Sequence, residues 1–92
     1  MRIVKRLDTL SRLIQRIRRS GKTIGFVPTL GALHEGHLSL IRRAAKETDS
    51  VVVSVFVNPI QFDRPSDFRL YPRTLKADAR LAARAGAHLL FA

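Results

Sequence analysis

The sequence predicts an α/β fold, with one parallel sheet of three strands and helices on its faces, in the order α-β-α-β-α-β. Three observations carry that prediction. Residues 50–58, "SVVVSVFVN", form a nearly unbroken β-branched run, and a strand that is apolar on both faces belongs in a sheet covered on both sides. Amphipathic helical segments alternate with short β-rich runs, the pattern of parallel strands joined by crossovers. The polar loops "PTLGALHEGH" and "NPIQF" follow the carboxyl ends of the first two strands, the edge of such a sheet where ligands bind.

Each element has its own signal. Leu7, Leu10, Leu13, Ile14 and Ile17 recur at helical period, with Lys5, Arg12, Arg16 and Arg19 opposite. Asp8 or Thr9 can cap that first helix, and Gly21 can end it. "TIGFV" (23–27) reads as a strand that Pro28 stops. Residues 37–47 read as a second helix, with Leu38, Ile41 and Ala45 inward and Arg42, Arg43 and Lys46 outward. After the 50–58 strand, residues 58–73 form a loop containing Pro59, Pro65 and Pro72. Thr74 then caps "LKADARLAARA", whose inward face is small at Ala79 and Ala82, and Gly86 ends it. "AHLLFA" (87–92) is the third strand. The whole corresponds to half of a doubly wound, three-layer, Rossmann-like domain.

A chain of 92 residues is one domain at most. It has no cysteine, which excludes disulfides and zinc–cysteine sites and suits a reducing cytoplasm. No apolar run approaches the roughly 18–20 residues that span a membrane, and the basic, amphipathic N-terminus lacks a signal peptide's apolar core. The net charge is +10, of which residues 1–22 carry +7. Such a surface is either a solvated helix face or an attractor of polyanions.

The chemistry concentrates in "PTLGALHEGHLSL". A strand ends, a loop with Gly31 and Gly36 follows, and a helix begins near His37. A helix N-terminus presents unpaired N–H groups and favours phosphate. His34 and His37 add ring donors able to follow charge developing on phosphoryl oxygens. The alternative is two satisfied loop histidines. The loop is neither a P-loop nor GxGxxG, and it lacks HExxH spacing. A metal site is not expected, because the only other histidine, His88, is remote in sequence.

"PTLGALHEGHLSLIRRA" carries the HxGH signature of a nucleotidyltransferase superfamily that includes the class I aminoacyl-tRNA synthetases. With "VVVSVFVNPIQF" and "DFRLYPRTLKAD" following in order, residues 20–92 resemble the pantothenate synthetase (pantoate–beta-alanine ligase) family. The resemblance implies ATP-dependent condensation of pantoate with β-alanine through pantoyl adenylate, releasing AMP and pyrophosphate. It places Leu30, Gly31, Ala32, Leu33, His34, Glu35, Gly36 and His37 at ATP, with His37 and His34 catalytic at the phosphates. It places Gln61, supported by Asn58, at pantoate and β-alanine. It also implies Mg2+ with the ATP, a cytoplasmic homodimer, and neither a membrane nor a nucleic acid as partner. Tyr71 and Arg73 either turn the chain into the third helix or touch substrate. Two positions depart from the family pattern. Leu30 stands where methionine is common, and Asp63 where glycine is common.

Family members are much longer than this chain. They add a second half of the nucleotide fold, with a GK-D segment and an MSSRN-like loop on ATP, and a small C-terminal domain. Residues 1–92 are therefore expected to form the N-terminal half of a Rossmann-like domain, with the second half and the C-terminal domain absent. "TIGFV" is left without a neighbour on one side, a pairing hazard. Two other readings stand beside the enzyme: a basic polyanion-binding module, which lacks an aromatic stacking platform, and an inactive half-domain that self-associates through its sheet edge.

Overall fold

The computed structural model describes residues 1–56 and 74–92. The loop expected at 58–73, with Asn58, Gln61, Asp63, Tyr71 and Arg73, lies outside the described residues.

Among the described residues the elements are β1 (Arg2–Val4), α1 (Leu7–Arg19), β2 (Ile24–Thr29), α2 (Glu35–Glu47), β3 (Ser50–Val55), α3 (Leu75–Ala85) and β4 (Leu89–Phe91). All strand pairs are parallel, in the order β1-β4-β3-β2. Among the described residues the sheet thus has four strands where the sequence predicts three. β1 escapes notice because three residues are too few to show a period, and only Val4 among them is buried. Pairing fixes it: the Arg2 N–H donates to the His88 carbonyl, and the Ala92 N–H donates to the Val4 carbonyl.

The core has two compartments, one on each face of the sheet. Val27, Val51, Val53 and Leu90 meet Ile41 of α2 and Ala82 of α3 on one side. Val4, Val52 and Leu89 meet Leu10, Leu13 and Ile17 of α1 on the other. Alternate valines of β3 therefore point into both compartments, which explains why its sequence does not alternate. The crossover through α1 carries the chain from one sheet edge to the other; α2 and α3 then bring it back strand by strand.

Several local expectations change. β2 runs through Pro28 to Thr29, pairing Pro28 with Ser54. An edge strand tolerates proline because its open side needs no donor. Leu7, expected inward, is the first residue of α1 and is 70% exposed. Arg6, not Asp8 or Thr9, is the N-cap residue of α1 and makes no side-chain cap bond; Asp8 instead accepts from the Arg6 guanidinium. Thr74 precedes α3 without capping a backbone N–H, and its hydroxyl donates to Asp78. Gly86 follows α3 in a left-handed conformation (φ 114°), with space for a Cβ closed by Ala45 at 2.8 Å. The last strand is three residues, Leu89–Phe91.

Candidate functional site

α2 begins at Glu35, two residues before its expected start, so His34 is its N-cap residue and His37 its third helical residue. The two imidazoles cap the helix reciprocally. The Gly36 N–H donates to His34 Nδ1 at 3.0 Å, and the His34 N–H donates to His37 Nδ1 at 3.2 Å. Their ring centroids are 4.1 Å apart. An Nδ1 that accepts from a backbone N–H carries no proton, so each neutral ring holds its proton on Nε2. Neither Nε2 has a hydrogen-bond partner among the described residues, and no buried side-chain nitrogen or oxygen there lacks one. The pair thus extends the helix's positive end through two rings and presents two Nε2–H donors.

Gly36 is required by this arrangement. A Cβ there would stand 2.8 Å from His34 Cε1 and 3.1 Å from its Nδ1. The glycine makes room for the capping ring. Glu35 is exposed, favours the helix's positive end and pairs with Arg42.

The loop ahead of the helix is held from below. Thr29 Oγ1 donates to the Ser54 carbonyl and accepts from the Gly31 N–H. Gly31 (φ 87°) and Ala32 (φ 52°) are both left-handed. The Ala32 and Leu33 N–H groups donate to Asp78 Oδ2 and Oδ1 at 3.0 and 2.9 Å. Asp78 is 2% exposed. The open phosphate-type N–H groups expected of the loop are therefore engaged internally at residues 31, 32, 33, 34 and 36. Sequence reasoning missed Asp78, yet a signal existed: Leu75, Asp78, Ala79 and Ala82 lie on one helical stripe.

Burial holds the His37 imidazole below its ordinary value of 6.5; His34 pushes the same way, and the Asp78 carboxylate opposes both. His37 is neutral at pH 7, the form that keeps Nδ1 an acceptor. Beside the loop, a groove of about 250 Å3 lined by Pro28, Thr29, Leu30, Ser54 and Phe56 opens at the carboxyl ends of β2 and β3. The expected ATP residues Leu30 to His37 are thus brought to one sheet edge, whereas Asn58 and Gln61 lie outside the described residues. His88 is apart, its Nδ1 accepting from the Val51 N–H.

A family model described as "Pantoate-beta-alanine ligase" matches residues 2–92. The pantothenate synthetase of Bacillus velezensis is 55% identical over 91 residues, covering 99% of this chain and 32% of the relative. That of Thioalkalivibrio sulfidiphilus is 61% identical over 75 residues, covering 82% and 26%. The chain spans about a third of the length of these relatives or less. Among solved structures, pantoate-beta-alanine ligase from Francisella tularensis, complexed with beta-gamma ATP and beta-alanine, superposes with a TM-score of 0.81 at 44% identity. The match covers 99% of this chain and 34% of that one. Pantothenate synthetase from Thermus thermophilus gives 0.77 at 44% identity, covering 99% and 31%. Agreement of sequence along the chain and of backbone across the four-stranded sheet shows that the chain belongs to the pantoate-beta-alanine ligase family.

Proposed function

We propose that this chain supplies the nucleotide-activating part of an ATP-dependent ligase that joins pantoate to β-alanine. The observation that carries the reading is the reciprocal histidine cap, which leaves two Nε2–H donors side by side at the carboxyl end of a parallel sheet. In the first step a pantoate carboxylate oxygen attacks the α-phosphorus of ATP in line. The bond to the pyrophosphate oxygen breaks, leaving pantoyl adenylate. In the second step the β-alanine amine attacks the acyl carbon, the acyl–phosphate bond breaks, AMP departs, and the amine loses a proton. Both steps need positioning and charge stabilisation more than covalent help from side chains. His37 and His34 donate Nε2–H to phosphoryl oxygens as negative charge moves onto pyrophosphate. Leu30 to Glu35 form the floor beneath the nucleotide. Gln61 and Asn58 hold pantoate and later β-alanine, a role that rests on the family motif alone; a neutral amide binds hydroxyls and carboxylate without competing as a nucleophile. Mg2+ arrives with the ATP as its counter-ion.

The Francisella tularensis relative, complexed with beta-gamma ATP and beta-alanine, supports ATP and β-alanine as ligands. A homodimer and a cytoplasmic setting belong to the same proposal on family resemblance, and sedimentation across concentrations tests the former. The functional test follows the His34 and His37 ring resonances during titration of the chain with millimolar MgATP. Both rings are expected to shift, and His37→Ala is expected to weaken binding by at least about tenfold, the loss of a bond to a charged group. Absence of any shift, or an unchanged affinity in His37→Ala, defeats the reading.

A further inference from the structure

We propose that Asp78 is a positioning residue for the HxGH loop: its buried carboxylate, delivered by α3, fixes where α2 begins and hence where the two histidine donors stand. This inference rests on the nucleotide reading of that loop. It deepens the reading by adding a residue far away in sequence.

The carboxylate takes the N–H groups of Ala32 and Leu33, separated from it by 46 and 45 residues. Such long-range bonds from a side chain to consecutive backbone donors fix a loop in three dimensions, whereas a local cap fixes only a helix end. The loop needs the help. Gly31 and Ala32 are both left-handed, and for Ala32 that conformation costs about 1–2 kcal/mol. Two successive N–H groups turned toward one point form a concavity for an anion, and Asp78 fills it from within the protein. Leu33, whose N–H is held, is also buried in the core between β2, α2 and α3, and His34 follows it directly. Gly31 permits the approach: a Cβ there would lie 3.4 Å from Asp78 Oδ2 and 3.1 Å from Val55 Cγ1. The Thr74 hydroxyl, one helical turn earlier, donates to Asp78 Oδ1 at 3.3 Å and steadies the carboxylate. The carboxylate also acts on His37 through space, opposing the effect of the neighbouring His34 ring and of burial.

The test compares the wild-type chain with Asp78→Asn and Asp78→Glu by amide hydrogen exchange and by histidine ring titration. In the wild type, Ala32 and Leu33 amides are expected to exchange slowly and to show couplings across the hydrogen bond to the Asp78 carboxyl carbon. An asparagine offers one acceptor and one donor group, so at least one amide loses its partner and exchanges roughly tenfold or more faster. The His37 midpoint is expected to fall in Asp78→Asn and to return toward wild type in Asp78→Glu, a response that a merely space-filling side chain would not give. Millimolar MgATP is expected to bind Asp78→Asn about tenfold more weakly than wild type. Unchanged exchange and an unchanged His37 midpoint in a folded Asp78→Asn overturn the proposal, as does wild-type ATP affinity after the clamp is lost. If Asp78→Asn does not fold, the wild-type chain decides: freely exchanging Ala32 and Leu33 amides overturn the clamp, and slow exchange with the couplings supports it. A wild-type chain that keeps both protected amides but shows no response to MgATP defeats the nucleotide reading instead, and the two failures are thereby distinguished.

Discussion

In the proposed reaction His37 does two things with one ring, and they make opposite demands on its protonation. Its Nδ1 must stay bare to accept the His34 N–H, while its Nε2 must keep a proton to donate outward. Only the neutral Nε2–H tautomer satisfies both. Protonation puts a second donor against the His34 N–H and opens the reciprocal cap. Because the folded ring is held below its ordinary value of 6.5, the unfolded chain takes up the proton first as pH falls. Between the unfolded and folded values the unfolded state binds more protons, so stability declines on acidification through that window and is full above it. Glutamine at the third position of a helix is an established capping-box partner and does not titrate there. Urea midpoints of wild type and His37→Gln, measured from pH 8 down to about pH 5, are therefore expected to diverge below 6.5, with the wild type losing more. Groups common to both chains cancel in that difference. Parallel curves would show that His37 does not accept the bond when folded.

At the scale of elements, the glycine between the two histidines illustrates how a motif can be explained by packing before any ligand is considered. In a helix interior alanine is favoured over glycine by about 0.8–1 kcal/mol, so Gly36→Ala at the start of α2 has an intrinsic gain to offer. The Cβ it adds meets His34 Cε1 at 2.8 Å, and the ring must leave the cap. Loss of a cap costs about 1 kcal/mol, and displacement of the ring adds to that. The loss at least cancels the gain, so Gly36→Ala is expected to show none of the roughly 4–8 °C rise in melting temperature that 1 kcal/mol of alanine preference would bring in a domain of this size, and to shift the His34 ring resonances. A raised melting temperature with unmoved His34 resonances would refute this role for the glycine. The same local physics explains which elements could be read from the sequence. α2, β3 and α3 were legible because their periods run over many residues and match the compartments they face. β1 was not, since its three residues take their conformation from a partner almost a whole chain away. The position of Pro28 inside β2 was hidden because only the sheet order reveals that β2 is an edge. Asp78 escapes the sequence reading because its partners, the Ala32 and Leu33 N–H groups, lie 46 and 45 residues away, although its place on the inward stripe marks it as buried.

For the molecule as a whole, the order of elements put the histidine loop at the carboxyl edge of the sheet, where it stands, but the sequence misled about what the loop offers there. A helix N-terminus after a glycine-bearing loop suggests a row of free backbone donors; the folded chain spends those of residues 31–34 and 36 on Thr29, Asp78 and the two imidazoles. That use depends on α3, whose contact with the loop no local pattern reveals. The consequence is quantitative. A triphosphate carries several negative charges, and each bond to a charged group contributes about 1.5–3 kcal/mol. The described loop offers two ring Nε2–H groups, from whose contribution the cost of ordering the nucleotide must be subtracted. We therefore expect the 92-residue chain to bind MgATP only in the millimolar range, about −4 kcal/mol, and to form no detectable pantoyl adenylate by itself. Calorimetry with MgATP and an assay of pantoate-dependent exchange of labelled pyrophosphate into ATP check the two halves of that statement. Micromolar affinity or measurable exchange would mean that this segment holds enough cationic donors on its own, and that the histidine pair contributes more charge stabilisation than two neutral rings can supply. Millimolar binding without exchange would instead assign the rest of the charge stabilisation to groups outside the described loop, consistent with relatives of which this chain covers 32% or less.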